Sequence, residues 1–440
     1  MVDFSLEVSQ NKYLPEGSGE VHAVITVTAH DVRPGTPDGP DAPGTAGTAG
    51  TAGTAATAGA AEVILLDCSG SMDYPHSKII EARRAAQAAI DTLHDGVAFA
   101  VVAGTGQAEM VYPTRQELVE ASPRTREAAK AAVKRLRPHG GTAMGRWLLL
   151  ARDLMATCPD AIHHAILLTD GQNGESEAVF AAALAACEGR FQCDCRGVGA
   201  DWKVAELRRV ASTLLGSVAL LREPAEMVED FRSLIERAQA RGIDRVGLRV
   251  WTPKGATIRF LRQVSPELED LTARAVEVNP LTRDHPTGAW ATGTREYHLC
   301  VDVPPAPVGN ERLAARVSVI AGEDELSRTA VLAAWSEDDE LSTRIDEVVA
   351  HYTGQTELAR AVQGGLAARR DGDEVSAVTL LGRAARIAAA ADDGATLERL
   401  AKVVDIDDAA TGAVRLRPQV DTLDEMDLDT GSTVTMPARR

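Results

Sequence analysis

Apolar and polar positions in residues 61–240 alternate between two periods. Strand candidates occur at 63–66, 97–102, 165–169, 194–198 and 218–221, most of them short apolar runs of Val, Ile, Leu and Ala. The segments between these runs repeat apolar residues at helical spacing. Such alternation of strands and helices is typical of a mainly parallel sheet that helices cover on both faces. This segment therefore predicts an α/β domain with a Rossmann-like parallel sheet.

Strand-like patterns flank this segment on both sides. Residues 1–32 contain two alternating runs, and residues 241–335 contain several more, separated by turns with Pro and Gly. Two strands alone are not stable in water. We therefore expect the N-terminal strands to join those of 241–335 in an antiparallel β-sandwich, with the α/β domain inserted between them.

The remaining segments carry other patterns. Residues 336–412 show amphipathic helical spacing and predict a helical bundle. Residues 33–60 repeat Gly, Thr and Ala and predict a low-complexity linker. Residues 413–440 are acidic, rich in Thr and poor in large apolar residues, so we expect a disordered tail.

Composition and charge narrow the classes of partner. The chain has 440 residues and a formal net charge of −18, which disfavours nucleic acid and anionic membrane surfaces. The first residues lack a signal-peptide pattern, and no apolar run reaches the ~18 residues that a spanning helix needs. The cysteines show no zinc-finger spacing, which favours reduced thiols. We therefore expect a cytoplasmic protein with neither a nucleic-acid nor a membrane partner.

Oxygen-bearing side chains follow the predicted strands of the α/β domain. Asp67, Ser69 and Ser71 come directly after the first strand. Thr142 follows a Gly-Gly pair, and Asp170 follows a later strand. Loops at the carboxyl ends of parallel strands meet at one edge of the sheet, and their carboxylate and hydroxyl oxygens suit a small hard cation such as Mg²⁺. The set contains no base and no strong nucleophile, which favours a binding site over an enzyme.

The pattern Asp-x-Ser-x-Ser, a distant Thr and a later Thr-Asp-Gly resembles the metal-ion-dependent adhesion site of von Willebrand factor type A domains. All five positions match. The resemblance implies that Ser69, Ser71 and Thr142 contact Mg²⁺ or Mn²⁺ directly. It implies that Asp67 and Asp170 do so directly or through water. It also implies an open coordination position for an Asp or Glu of a protein partner, as in a bacterial cytoplasmic adaptor or scaffold protein.

Other interpretations of the chain stay open. An accessory subunit of an AAA+ ATPase, in a metal-chelatase-like or tellurium-resistance-like complex, would use the same domain. A haloacid-dehalogenase-type phosphatase would need a carboxylate two residues after Asp67, where this chain has Ser69. Thr433 and Thr435 follow an acidic run and resemble kinase sites that a forkhead-associated domain reads as phosphothreonine.

Several polar or aromatic residues in this domain have ordinary structural interpretations. We expect Cys68 to fill space at the strand end and Trp147 to pack in the core. His163 and His164 precede a predicted strand and are expected in a solvent-exposed loop. Asp201 is expected to cap a helix.

Overall fold

The computed structural model describes residues 3–30 and 59–438, so the predicted linker lies almost entirely outside the described residues. The first segment contains strands β1 (Asp3–Gln10), β2 (Tyr13–Leu14) and β3 (Glu20–His30). Apolar side chains at every second position of β3, from residue 21 to residue 29, are buried in one core. The period of two therefore assigns one face of β3 to a hydrophobic core.

The second segment begins with alternating strands and helices. Its elements are β4 (Ala60–Asp67), α1 (Ser77–Thr92), β5 (Ala98–Gly104), β6 (Ala108–Tyr112), β7 (Val119–Glu120), α2 (Pro123–Val133), α3 (Met144–Met155), β8 (Ile162–Thr169), α4 (Glu177–Cys187), β9 (Gln192–Val198), α5 (Val204–Thr213), β10 (Val218–Leu221) and α6 (Met227–Gln239). A short 3-10 helix (Gly70–Asp73) joins β4 to α1. We call residues 60–239 the α/β unit.

The sheet of the α/β unit has the strand order β10-β9-β8-β4-β5-β6. The strands from β10 to β5 run parallel, whereas β6 and β7 pair antiparallel with β5. The chain passes from β4 to β5 on one side and later returns to β8 on the other side of β4. This reversal leaves a crevice at the carboxyl ends of β4 and β8. Apolar cores on both faces of the sheet confirm the predicted α/β architecture.

Strands resume after α6. They are β11 (Ile243–Trp251), β12 (Thr257–Ser265), β13 (Glu269–Asp270), β14 (Val276–Asn279), β15 (Thr282–Trp290), β16 (Gly293–Asp302), β17 (Glu311–Ala321) and β18 (Asp324–Trp335). One sheet has the order β1-β3-β16-β12-β13 and the other β14-β15-β11-β17-β18-β2, and a shared core lies between them. The N-terminal strands thus complete a sandwich whose other strands follow the α/β unit, which confirms the predicted insertion.

The hydrophobic pattern does not predict β12 and β15. Arg259 and Arg262 interrupt the apolar positions of β12. Pro286 and Gly288 give β15 the composition of a turn. The pairing of β15 with β11 contains register shifts around Val246, which is how a sheet accommodates such residues.

The last part of the chain is mainly helical. It contains α7 (Asp339–Thr343), α8 (Glu347–Arg370), α9 (Glu374–Ala390), α10 (Gly394–Val403), β19 (Val404–Asp408), β20 (Ala413–Leu416) and α11 (Thr422–Gly431). The helices α8 to α11 share a hydrophobic core with the hairpin β19–β20, which confirms predicted C-terminal helices. Within the described residues, no helix has the length and apolar character needed to cross a membrane.

The prediction of a disordered tail at 413–440 is wrong for the part that the structure describes. Residues 413–416 form β20, and α11 follows with Met426 and Leu428 buried. The acidic composition misleads because its carboxylates have partners: Asp429 accepts a hydrogen bond of 2.8 Å from Arg208 of α5. The tail is therefore docked on the α/β unit rather than solvated.

The prediction of a solvent-exposed loop at His163 and His164 is also wrong. Both residues lie within β8, which begins three residues earlier than its apolar run. His164 is buried between Glu62, at 2.7 Å, and Asp194, at 2.9 Å. A buried histidine inside this strand is compatible with the core because it pairs with carboxylates of the neighbouring strands β4 and β9.

Candidate functional site

Asp67 and Asp170 lie at the ends of neighbouring parallel strands. Asp67 is the last residue of β4, and Asp170 directly follows β8. The register places Leu66 of β4 beside Leu168 of β8, so both carboxylates emerge at the same edge of the sheet. Both side chains are buried. The crevice between β4 and β8 therefore has two carboxylates at its base.

The hydroxyls of Ser69 and Ser71 join these carboxylates in one hydrogen-bonded chain. The two hydroxyl oxygens are 2.9 Å apart, and Ser71 Oγ donates to Asp170 Oδ1 at 2.7 Å. The backbone N–H of Ser69 donates to Asp67 Oδ1 at 2.7 Å. Four of the five predicted residues are thus linked by direct contacts.

Thr142 approaches the same place from the loop before α3. A methyl group placed on Gly171 would lie 3.1 Å from Thr142 Oγ1, 3.5 Å from Ser71 Oγ and 3.8 Å from Asp67 Oδ2. The three oxygens therefore surround one point beside Gly171. A side chain at that position would fill the space between them, which explains the glycine after Asp170.

Backbone hydrogen bonds hold the loops that carry these residues. Gly70 N–H donates to the carbonyl of Gly140 at 3.1 Å, and Gly174 N–H donates to that of Thr142 at 2.7 Å. Gly140 has a φ of 73°, a conformation that favours glycine. The first bond ties the loop after β4 to the loop before α3, and the second ties the latter to the loop after β8. The hydroxyls and carboxylates are therefore held together by the backbone as well as by their own contacts.

Lys78 of α1 is a site residue that sequence reasoning missed. Its Nζ donates to Asp170 Oδ2 at 2.7 Å and lies 3.4 Å from Asp201 Oδ2. Asp201 is not the predicted helix cap, since α5 begins at Val204 with Lys203 before it. Lys78 is on the buried face of α1 that also carries Ala82, and a lysine on such an apolar stripe is the signal that could have found it.

Asp67 is the most strongly perturbed carboxyl of the site. Burial raises its pKa to about 6, against the opposing effect of hydrogen bonds from Ser69 and Thr169. The Thr169 hydroxyl donates to Asp67 Oδ2, a contact that the motif contains but the sequence analysis left without a role. A desolvated carboxylate beside a second carboxylate is stabilised by any cation that binds between them.

Cys68 and Trp147 have the structural roles expected of them. Both side chains are buried. Burial raises the pKa of the Cys68 thiol to about 12, so the thiolate form is scarce at neutral pH. The indole N–H of Trp147 donates to the carbonyl of Thr105 at 2.8 Å, which fixes the start of α3 next to the loop of Thr142.

The converging groups fit a small hard cation. They are two carboxylates and three hydroxyls, the donors that Mg²⁺ and Mn²⁺ accept. The carboxylates of Asp67 and Asp170 are buried, whereas Ser71 is exposed and Thr142 is half-buried. A cation held by these residues would therefore keep one side toward solvent.

Comparisons with known proteins agree with this architecture. The model of the von Willebrand factor type A domain matches residues 61–219, and that of the von Willebrand factor type A C-terminal domain matches residues 387–432. The solved von Willebrand factor type A protein from Catenulispora acidiphila is 46% identical, with a TM-score of 0.91, over 99% of this chain and 97% of that one. The residues of the candidate site lie within the first of the two matched segments.

More distant matches share the fold or part of the length. VWA2, the ArnB paralog of Sulfolobus acidocaldarius, has a TM-score of 0.55 at 12% identity and covers 98% of both chains, which shows similarity of fold alone. An uncharacterized protein of Synechocystis is 29% identical over 217 residues, which are 48% of this chain. The chain spans about half the length of that curated relative, since the match covers 50% of it.

Proposed function

This chain belongs to the von Willebrand factor type A family, and we propose on that basis that it is a non-catalytic adaptor. In this proposal, Asp67, Ser69, Ser71, Thr142 and Asp170 hold one Mg²⁺ or Mn²⁺ ion. A protein partner supplies an Asp or Glu carboxylate to the open side of the ion. The observation that carries the proposal is the convergence of these five side chains, from three separate loops, on the crevice between β4 and β8.

The charges of the site support an acidic ligand. Two carboxylates balance one divalent ion, and Lys78 adds a positive charge next to Asp170. The exposed carboxylate of Asp201 offsets the charge of Lys78, so the ion itself would concentrate positive charge at the open position and attract an outside carboxylate there. An ion bound here supplies a Lewis-acidic coordination position, while this chain's own residues orient it and shield its inner side from water.

The rim of the site offers an apolar contact for the same partner. Tyr74 follows the 3-10 helix that carries Ser71, and its side chain is 86% exposed. Its backbone N–H donates to the carbonyl of Ser71 at 3.0 Å, so its position is tied to the site. Exposed aromatic residues beside a polar anchor are frequent energetic centres of protein interfaces. We include Tyr74 in the proposed partner surface.

The metal part of the proposal is tested by a double substitution. Ser69→Ala with Ser71→Ala removes two direct ligands without changing the buried carboxylates, so we expect Mg²⁺ binding to be lost while the chain stays folded. Calorimetric titration with Mg²⁺ measures the binding, and circular dichroism verifies the fold. Equal Mg²⁺ affinity in the wild type and the double variant would reject the site.

The partner part needs a separate measurement. Affinity purification from the source organism, in Mg²⁺ and in EDTA, is expected to recover a protein only with Mg²⁺ and only with the wild type. Tyr74→Ala is expected to keep Mg²⁺ binding and to weaken capture of that protein. Capture that is unchanged by EDTA would contradict metal-dependent recognition.

The other functional predictions stay predictions. Coupling to an AAA+ ATPase is neither favoured nor opposed by the site's geometry. Recognition of the tail by a forkhead-associated domain would depend on Thr433, because the Thr435 hydroxyl is buried and donates to the carbonyl of Val264 at 2.6 Å. Phosphorylation of Thr435 would require this segment to leave the sandwich.

A further inference from the structure

A second group of ligand-bearing side chains lies on the sandwich, away from the crevice. Glu20 and His22 are on β3, and Cys300 is on the adjacent antiparallel strand β16, directly opposite His22. Residues two apart on a strand point to the same face, so the register brings the three side chains together. They lie on the outer face of the sheet, beyond the part that α8 covers at Val24.

The three potential ligand atoms are close enough to share one ion. Cys300 Sγ lies 3.8 Å from His22 Nε2 and 3.9 Å from Glu20 Oε1. His22 Nε2 and Glu20 Oε1 are 2.7 Å apart. Zn²⁺ binds sulfur at about 2.3 Å, and nitrogen or oxygen at about 2.0–2.2 Å, in a tetrahedron. The distances between ligand atoms in such a tetrahedron are close to the distances observed here from Cys300 Sγ to His22 and Glu20. Only His22 and Glu20, which are hydrogen-bonded to each other, must move apart.

Neighbouring side chains hold the ligands in the orientation that a metal needs. His22 Nδ1 lies 2.9 Å from His298 Nε2, which leaves His22 Nε2 directed toward Glu20 and Cys300. Arg259 bonds to Glu20 Oε2, the oxygen that does not face His22. Metal-binding histidines and carboxylates typically have such outer partners. Phe260 adds a ring contact to His298, with centroids 5.0 Å apart, and closes one side of the group.

Burial and charge favour a zinc ion with one open position. Cys300 is buried, His22 is half-buried and Glu20 is exposed, so the group opens toward solvent on the Glu20 side. One thiolate and one carboxylate neutralise a divalent ion. A sulfur, a nitrogen and an oxygen form a ligand set that suits Zn²⁺ and does not suit Mg²⁺.

We propose that Glu20, His22 and Cys300 bind a Zn²⁺ ion, with water at the fourth position. This site is independent of the proposed Mg²⁺ site, since it lies on other strands and uses other donors. His298 and Arg259 are positioning residues: His298 holds the ligand His22 in place, and Arg259 holds the ligand Glu20.

Co²⁺ is the spectroscopic probe for this site. The full chain is stripped of metal, saturated with Mg²⁺ and titrated with Co²⁺. We expect one equivalent to produce a thiolate-to-cobalt charge-transfer absorption that Zn²⁺ removes. Cys300→Ser is expected to lose the absorption and to bind Zn²⁺ at least about tenfold more weakly, while Cys158→Ser, at a half-buried cysteine outside the group, keeps both.

Further variants keep the test decisive. Glu20→Gln changes an exposed residue and is expected to weaken Zn²⁺ binding even if Cys300→Ser does not fold. His298→Gln is expected to weaken Zn²⁺ binding about 10- to 100-fold, as loss of an outer partner does. Ser69→Ala with Ser71→Ala is expected to leave Zn²⁺ affinity unchanged. Unchanged Zn²⁺ affinity in Glu20→Gln, or a charge-transfer absorption that persists in folded Cys300→Ser, would overturn the proposal.

Discussion

Lys78 and Asp170 form an ion pair beneath the candidate metal site. Their side chains are 6% and 0% exposed, so neither charge is compensated by solvent. The ammonium group of Lys78 contacts Asp170 directly and neutralises its carboxylate. A bound divalent ion would be a second cation next to the same carboxylate. Lys78 would therefore stabilise Asp170 in the protein without metal and would oppose binding of the proposed ion electrostatically.

Lys78→Met tests this double role. Without metal, we expect the free energy of unfolding to fall by about 3–5 kcal/mol, because the buried charge of Asp170 loses its ion-pair partner and keeps only the hydrogen bond from Ser71. With saturating Mg²⁺, the ion replaces the missing charge, so we expect Mg²⁺ to raise the unfolding temperature more than in the wild type. Thermal unfolding with and without Mg²⁺ measures both effects.

A surface lysine provides the matched control. Lys130 pairs with the exposed carboxylates of Asp91 and Glu127, so Lys130→Met is expected to change the free energy of unfolding by at most about 1 kcal/mol. Its response to Mg²⁺ is expected to equal that of the wild type. If Lys78→Met and the wild type gain the same stability from Mg²⁺, the proposed charge coupling is wrong.

His164 gives the α/β unit a buried pH-sensitive group. Burial alone would lower its pKa, but the carboxylates of Glu62 and Asp194 more than offset that effect, so the pKa is raised. A histidine with a raised pKa stabilises the fold fully below its unfolded pKa of about 6.5. That contribution is lost as the pH rises through the folded pKa.

His164→Gln isolates this contribution. Near pH 6, we expect it to lower the free energy of unfolding by about 3–5 kcal/mol, since a buried charge pair is broken. We expect the difference from the wild type to shrink as the pH rises. Urea unfolding at several pH values checks this, with the exposed His94→Gln as the control for loss of a histidine. A difference that stays constant with pH would contradict the assignment.

The predicted and the missed residues of the site differ in how clearly the sequence pattern identifies them. Four of the five oxygen donors lie at or just after the ends of β4 and β8, and Thr142 lies in the Gly-Gly-Thr loop before α3, so the spaced pattern and strand order together bring them to one edge. Lys78 leaves only a break in the apolar stripe of α1, and Thr169 looks like the end of a strand. Their partners are remote in the sequence: the packing of α1 brings Lys78 to Asp170, and the pairing of β8 with β4 brings Thr169 to Asp67.

Two strands of the α/β unit have a glycine at or next to their last residue, and each glycine makes room for a tryptophan ring. A methyl group on Gly104 of β5 would lie 2.4 Å from the ring of Trp147, and one on Gly197 of β9 would lie 1.9 Å from the ring of Trp202. Each indole N–H donates to a nearby backbone carbonyl. The close packing of each tryptophan ring against the strand backbone therefore fixes the end of β5 relative to α3 and the end of β9 relative to the segment that follows it.

Gly104→Ala is expected to destabilise the protein by about 1–3 kcal/mol, because the added methyl group would force the fully buried Trp147 ring to shift. The shift would disturb the start of α3, and with it the loop of Thr142, so we also expect weaker Mg²⁺ binding. Urea unfolding and calorimetry measure the two effects. Gly354→Ala in α8 is the control: its methyl group meets no atom within 4 Å, and it is expected to stabilise the helix by up to about 1 kcal/mol. Similar effects of both substitutions would exclude the packing explanation.

At the scale of helices and strands, the fold was predictable wherever an element has a clear periodicity of apolar residues. Most strands of the parallel sheet contain a continuous apolar run, although β9 carries Asp194 and Arg196, and the N-terminal strands need partners that 241–335 could offer. The strands β12 and β15 were not predicted, because arginines in β12 and Pro286 and Gly288 in β15 interrupt the alternation of apolar and polar residues. Their place in the sheet is determined by the neighbouring strands rather than by their own composition.

At the scale of the whole molecule, α11 joins parts that are distant in the sequence. Met426 is buried in the core of the α/β unit, and Leu428 in the core of the C-terminal helices. Arg208 of α5 and Arg222, which follows β10, pair with the acidic residues of the same helix. Composition could not predict this docking, because the same acidic residues would suit a solvated tail equally well. The helix acts as a connection between two cores.

Met426→Glu tests whether α11 couples these two parts of the molecule. A carboxylate at this position cannot be buried without a partner, so we expect α11 to detach from the α/β unit. Hydrogen exchange is then expected to accelerate in α11, in α5 and at the edge strand β10, and to stay slow in β4 and β8 at the centre of the sheet. Because the crevice lies at those central strands, we expect Mg²⁺ affinity to be unchanged. Met436→Glu, at an exposed position of the same tail, controls for the added charge. Slow exchange at β10 in Met426→Glu would show that α11 does not hold this edge of the sheet.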